Sequence, residues 1–201
     1  MAIGTMAGNP YYNKEKTMKR HHTIGTTLLA CLVAGIAGIT PALKAADMPD
    51  SPAITKLLAE AKTQAYSISV DASELESYTR EPTLSWERHA VEITRMKNDI
   101  NATAKTVTAL VAGKSQASPW QATAIDRIVP FMKEIAADTT AAIEYLNKNQ
   151  SRLANNKEYR DYITANSDTS QELATLIAHF VDYGNHKSRY DSLKNTLELP
   201  K

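Results

Sequence analysis

The sequence has few cysteines, glycines and phenylalanines: one, seven and two among 201 residues. Five glycines and the only cysteine, Cys31, fall within residues 1–45, so residues 46–201 keep only Gly113 and Gly184. The longer part therefore excludes a disulfide scaffold, a cysteine-ligated zinc or iron–sulfur site and a thiol nucleophile. Because it also lacks dense alternation of valine, isoleucine and phenylalanine, its composition favours helices over strands.

The net charge of +1 averages two unlike parts. Residues 1–45 hold five of the 23 basic side chains and one of the 22 acidic ones. Residues 46–201 therefore hold 18 basic and 21 acidic groups, a net charge of about −3. Nucleic-acid-binding domains present a basic surface, which this composition does not supply. We expect no nucleic-acid partner.

The N-terminal part has the pattern of an export signal. From Met18 the chain reads Met-Lys-Arg-His-His, then a largely apolar run from Ile24 to Leu43, then Lys44-Ala45-Ala46. A basic segment, an apolar segment and small residues, in this order, are typical of a secretory signal peptide. Leu43 at position −3 and Ala45 at position −1 predict cleavage before Ala46. We expect a periplasmic or secreted bacterial protein.

The export signal divides the chain into three parts. Residues 1–17 are polar and fit no part of a signal, so we interpret Met18 as the true start. We assign residues 18–45 to the signal peptide and residues 46–201 to one exported domain. Two alternatives are lipidation at Cys31 and retention of the apolar run as an anchor. We expect membrane contact only through this signal segment, if it is not cleaved.

Apolar residues in residues 46–201 recur at alternating steps of three and four, which is the spacing of helices. Four segments show it: residues 52–81, residues 83–112, residues 119–153 and a last segment from Tyr159 onward. Short connections between long helices predict an antiparallel up-down-up-down four-helix bundle, and a long coiled-coil hairpin that dimerises is the alternative. The expected core residues are Ile54, Leu58, Ala61, Ala65, Ile68, Ala72, Leu75, Trp86, His89, Ile93, Met96, Ile100, Thr103, Val107, Leu110, Ile125, Ile128, Met132, Ile135, Thr139, Ala142, Ile143, Leu146, Leu153, Tyr159, Tyr162, Ile163, Leu173, Ile177 and Phe180, with a final turn set at Tyr190, Leu193 and Leu197.

Prolines, glycines and polar residues predict local features of these helices. Ser118 and Gln121 flank a proline and predict a capping box at the start of the third helix. Pro130 lies inside that helix and predicts a kink, because the apolar spacing continues in phase through it. Gly113 predicts a left-handed cap at the end of the second helix. Gly184-Asn185 predicts a bend or interruption of the last helix.

Three polar side chains of the last segment form the candidate metal site. His179, Asp182 and His186 are spaced i, i+3 and i+7, so a continuous helix would place them on one face. Two imidazoles and a carboxylate can ligate zinc or copper. A solvent-facing polar strip is the commoner explanation, and we expect no resident metal or cofactor.

His89 is the candidate haem ligand. It falls in an apolar row, with Met96 and Met132 available as second ligands. A buried histidine is usually hydrogen-bonded across the core, and a methionine in such a row is usually packing. No Cys-x-x-Cys-His haem-attachment motif is present. None of the three histidines of residues 46–201 has a glutamate three residues before it, so the Glu-x-x-His pair of di-iron bundles is absent as well.

The sequence favours a non-enzymatic binding or interaction module. No nucleophile elbow, P-loop, Gly-x-Gly-x-x-Gly or His-Glu-x-x-His motif is present. A metal- or haem-binding carrier is the alternative, and an envelope enzyme is third. Tyrosines cluster on the last segment and could form a partner surface or pack in the bundle. We expect an envelope partner or a small ligand, and a homodimer is open.

Four local motifs carry a resemblance to known sequences. They are Ser85-Trp86-Glu87-Arg88-His89-Ala90, Ser118-Pro119-Trp120-Gln121, Glu158-Tyr159-Arg160-Asp161-Tyr162 and Phe180-Val181-Asp182-Tyr183-Gly184. With them the chain resembles a group of short, signal-bearing helical proteins from acidobacteria. The resemblance implies export and a helical fold, and it implies no activity and no role for any residue.

Overall fold

A computed structural model describes residues 48–150, 153 and 156–198. Cys31 and the predicted cleavage residues Leu43, Ala45 and Ala46 lie outside this range. The described residues contain no β-strand, and none of their helices is long and apolar enough to cross a membrane. The helices are α1 (Pro52–Tyr78), α2 (Trp86–Gly113), a short 3-10 helix (Lys114–Gln116), α3 (Pro119–Lys148) and α4 (Lys157–Thr196).

The four α-helices form an antiparallel up-down-up-down bundle. Each helix packs against its neighbours in sequence, and α1 packs against α4 to close the ring. Early residues of one helix meet late residues of the next, which fixes the antiparallel direction. Cross-helix hydrogen bonds at 3.2, 3.2 and 3.0 Å join Thr106 to Glu60, Gln171 to Ser73 and Asn166 to Thr139. The fold class predicted from apolar spacing is confirmed.

The core follows the predicted rows closely. Before the final turn set, every expected core residue is buried except Trp86, Ile143, Tyr162 and Phe180, which are half-buried and pack against the core. Three alanines of α1, Ala61, Ala65 and Ala72, are completely buried, so their small side chains let neighbouring helices approach closely. The prediction is wrong for the final turn set: Tyr190, Leu193 and Leu197 are exposed, because Lys187, Asp191 and Lys194 take the positions of α4 that face the bundle.

The starts of α3 and α4 are capped by side chains, and the cap at α3 was predicted. At α3 the Ser118 backbone N–H donates to Gln121 Oε1 at 3.0 Å, which is the glutamine half of the capping box. At α4 the Asn156 side chain accepts from the backbone N–H groups of Glu158 and Tyr159. These contacts satisfy amide groups that a helix start leaves without a partner.

The end of α1 and the start of α2 differ from the boundaries that the sequence predicts. α1 ends at Tyr78 rather than near Glu81, and α2 begins at Trp86 rather than at Thr83. The reason is local: a proline at residue 82 disfavours helical geometry at the residue before it. The connection between these helices is therefore longer than predicted.

The left-handed cap predicted at Gly113 is wrong, and so is an interruption of α4 at Gly184, whereas a bend there stays a prediction. Gly113 has φ −83° and is not a left-handed cap. A β-carbon there would lie 2.8 Å from Cδ1 of Ile54, so the glycine allows close packing. α4 runs without interruption through Gly184, which is buried. α3 is likewise continuous through Pro130, and the size of the kink there stays a prediction.

Candidate functional site

A groove between α3 and α4 combines aromatic rings with an arginine and a histidine. Its volume is about 380 Å³, and we call it the α3–α4 groove. Aromatic rings form much of its wall, and an arginine and a histidine supply its polar groups. It is lined by Trp120, Thr123, Arg127, Leu176, His179, Phe180 and Tyr183.

Trp120 is held rigidly at one end of the groove. Its indole Nε1 donates to Asp50 Oδ1 at 2.6 Å, and its ring meets Tyr183 edge-on with centroids 5.5 Å apart. The ring also lies across Gly184, where any side chain would collide with it. Three independent contacts therefore fix the orientation of a large apolar surface at the mouth of the groove.

Asp50 links this end of the bundle to α4. Lys187 pairs with Asp50 at 3.2 Å and with Asp191 at 2.8 Å. Burial acts to raise the pKa of Asp50, but hydrogen bonds from Trp120 and Lys187 outweigh it and hold that pKa below its ordinary value. Asp50 is therefore ionised at neutral pH and keeps both donors in place.

The middle of the groove combines a cation with aromatic surface. The Arg127 guanidinium carbon lies 5.6 Å from the centroid of the Phe180 ring, within the range of a cation–π contact. His179 is exposed beside it and lines the same groove. Such a site can hold an apolar side chain and accept a hydrogen-bonding or anionic group beside it.

The candidate metal ligands do not converge. Asp182 accepts from Lys62 of α1 at 3.1 Å, whereas His179 lines the groove toward α3. His186 is exposed on a later turn. Although α4 is continuous through all three positions, the part of the chain that the structure describes holds no group of three metal-ligating side chains. The candidate metal site that the spacing suggested is therefore not assembled among the described residues.

His89 is a core residue with a tyrosine partner. It is 2% exposed, and its Nδ1 lies 3.2 Å from the Tyr159 hydroxyl. Burial lowers the pKa of His89 and raises that of Tyr159, so both are neutral at neutral pH. A haem iron bound through Nδ1 would have to displace Tyr159. Met96 and Met132, the suggested second ligands, are packed in the core.

A charged cluster between α1 and α2 was missed by the sequence analysis. Arg95 Nη2 lies 2.8 Å from Asp71, 2.7 Å from Glu74 and 2.8 Å from Glu92. Asp71 and Glu92 are only 5% and 4% exposed. Burial raises the pKa of Glu92, whereas hydrogen bonds from Tyr78 and Arg95 lower that of Glu74.

This cluster joins two helices and offers no open site. Its single cation lies among three carboxylates, which makes it a structural contact. Only the i, i+3 spacing of Glu92 and Arg95 could have signalled it in the sequence. Asp71 and Glu74 come from the other helix, so their part depends on how the two helices pack.

Comparison of the chain with protein-family models, curated proteins and solved structures gives no significant match. The resemblance to acidobacterial proteins therefore stays a prediction, and the site must be interpreted from its own chemistry.

Proposed function

We propose that the protein is exported through the signal at residues 18–45 and acts in the periplasm, or after secretion, as a non-enzymatic interaction module. The basic, apolar and small-residue segments of the leader support export. The bundle supports the role as an interaction module because the α3–α4 groove offers aromatic and charged side chains on its surface.

The binding surface consists of the α3–α4 groove and the adjoining exposed side of α4. The observation that carries this assignment is Tyr183, which is 52% exposed although it packs against Trp120 at the mouth of the groove. Tyrosine and tryptophan supply large contact areas with little loss of side-chain freedom, and both are enriched at binding surfaces. The metal- or haem-carrier alternative has no comparable structural support.

Export is tested by expressing the chain with its own leader and measuring the mass of the protein in each cell fraction. We expect an exported form that begins at Ala46. Ala45→Trp places a bulky side chain at position −1 and should leave the leader attached. An unprocessed wild-type protein confined to the cytoplasm would contradict the proposal.

Binding is tested with a photo-crosslinking amino acid at position 183 in intact cells. Val91 on α2 is a matched control, because it is 67% exposed and far from the groove in sequence. We expect a crosslinked product from position 183 and none from position 91. Equal products, or none from either position, would show that the α3–α4 groove is not a binding surface.

A further inference from the structure

The last turns of α4 have little contact with the bundle. From Ser188 to Thr196 every residue is exposed except Asp191 and Lys194, which are half-buried. Most helical stability in proteins comes from the packing of an apolar face, a packing that this end of α4 does not have. A helical end of this kind gains stability from a partner that packs along it.

The apolar side of α4 faces the bundle before Gly184 and faces away from the bundle after it. Before it, Leu173 and Ile177 are completely buried in the bundle. After it, the positions that face the bundle are the half-buried Lys187, Asp191 and Lys194. The large apolar side chains of this part are outside: Tyr190, Leu193 and Leu197 are 64%, 62% and 64% exposed.

These exposed residues continue a regular row that begins in the α3–α4 groove. Its members are separated by steps of three and four, and we call it the α4 seam. A row of two positions per heptad is the narrow contact stripe of a coiled coil, whereas a helix lying on a bilayer needs a broader apolar face. The α4 seam consists of Leu176, His179, Tyr183, His186, Tyr190, Leu193 and Leu197.

We propose that the α4 seam pairs with the α4 seam of a second copy of this chain, in antiparallel orientation about a two-fold axis near Ser188. The inference rests on the proposed function, because it names the partner of the same surface. In this register Tyr183 meets Leu193 of the second copy, and His186 meets Tyr190 of the second copy. Each exposed end of α4 then covers the α3–α4 groove of the other copy.

Self-complementarity of the surface argues for a second copy. The first half of the α4 seam borders the α3–α4 groove, and the second half is the exposed helix end. A two-fold axis places the helix end of each copy against the groove of the other copy. Near the axis Lys187 is already balanced by Asp50 and Asp191, so pairing does not bring two unbalanced lysines together.

The contact area is that of a small interface. Four seam residues, Tyr183, Tyr190, Leu193 and Leu197, are more than half exposed. They can bury roughly 100 Å² each, and the groove walls add roughly another 100 Å². Both copies together would bury roughly 1,000 Å², which is the lower limit of a specific protein–protein interface, so we expect a dimer that dissociates on dilution.

The first test is the mass of the exported protein in solution, measured by light scattering over a concentration series. We expect the wild type to have twice the mass of one chain at high concentration and a lower mass on dilution. The double variant Tyr190→Glu/Leu193→Glu should be monomeric, since it places four acidic groups in the contact. The control Tyr66→Glu/Val91→Glu changes two residues that are 66% and 67% exposed on other faces and should stay dimeric.

Circular dichroism must show equal helix content below the unfolding transition in both variants. A monomeric wild type throughout the concentration series, or a dimeric seam variant, would overturn the inference.

The second test identifies what the crosslinker at position 183 captures. We expect a product of two chains, with the link mapped by peptide mass to residues 190–197. A product with a different protein or with lipid would overturn the second-copy inference and leave the binding surface in place. Absence of any product above the position 91 control would instead overturn the proposed function.

Discussion

The Trp120 ring lies directly across Gly184, and a β-carbon at position 184 would lie 2.7 Å from Cη2 of that ring. This contact explains why α4 contains a glycine in its interior. The missing side chain lets α3 and α4 approach closely enough for the indole to reach Asp50. The helix-weakening effect of glycine, about 1 kcal/mol, is outweighed by this packing.

Gly184→Ala should therefore destabilise the protein by about 1–3 kcal/mol, although alanine is the better helix former. Trp120 cannot swing away without losing its contacts with Asp50 and Tyr183. Urea unfolding measures the change. Asn185→Ala, at the neighbouring exposed position, should be neutral or slightly stabilising. Equal effects of the two substitutions would show that the close contact is unimportant.

Gln121 should be the most sensitive polar residue of the core. Its completely buried amide bonds to both backbone groups of Ser51, to the Thr55 hydroxyl and to the Ser118 N–H. Gln121→Ala leaves several buried groups without partners and should cost about 3 kcal/mol. The same truncation at exposed Gln116 should cost less than about 0.5 kcal/mol in chemical denaturation.

Arg95→Gln should destabilise the contact between α1 and α2 by about 2 kcal/mol at neutral pH. The substitution leaves the buried charges of Asp71 and Glu92 without their cation. Lys97→Gln removes one positive charge from an exposed position of the same helix and is the control. If both variants lose the same free energy of unfolding, net charge rather than the cluster is responsible.

Asp50→Asn should make stability less dependent on pH. The folded-state pKa of Asp50 is below its ordinary value of 3.8, so its ionised form stabilises the fold above that value. This stabilisation is lost as the pH falls through the folded-state pKa. We expect the variant to be less stable by about 1–2 kcal/mol at neutral pH and the difference to vanish in acid. A difference that is constant with pH would contradict this assignment.

Tyr159→Phe should cost about 1 kcal/mol, because it removes the hydrogen-bond partner of the buried His89 ring without changing its packing. Tyr162→Phe is the matched control. Its hydroxyl lies 3.3 Å from Glu158 on the surface, so its loss should have little effect. Thermal unfolding of both variants distinguishes a buried hydrogen bond from a general effect of tyrosine hydroxyls.

The candidate site could be predicted only in part. The motif Ser118-Pro119-Trp120-Gln121 correctly indicated a helix start. The link of Trp120 to Asp50 and its packing on Gly184 connect residues 70 and 64 positions away, and no local pattern encodes them. The spacing of His179, Asp182 and His186 suggested a metal site, but Lys62 of another helix binds the Asp182 carboxylate. That contact, too, depends on how the helices pack and is not encoded by a local pattern.

The sequence by itself determined the helices, their antiparallel order and nearly all of the core. Apolar spacing is a local property, and short connections leave few ways to pack four amphipathic helices. Only the tertiary structure decided what the glycines do, which charges pair and where the α4 seam becomes exposed. These features depend on distances between helices, which arise when side chains from separate segments pack together. The proposed binding surface depends on these features of the tertiary structure, and variants of the α4 seam test it.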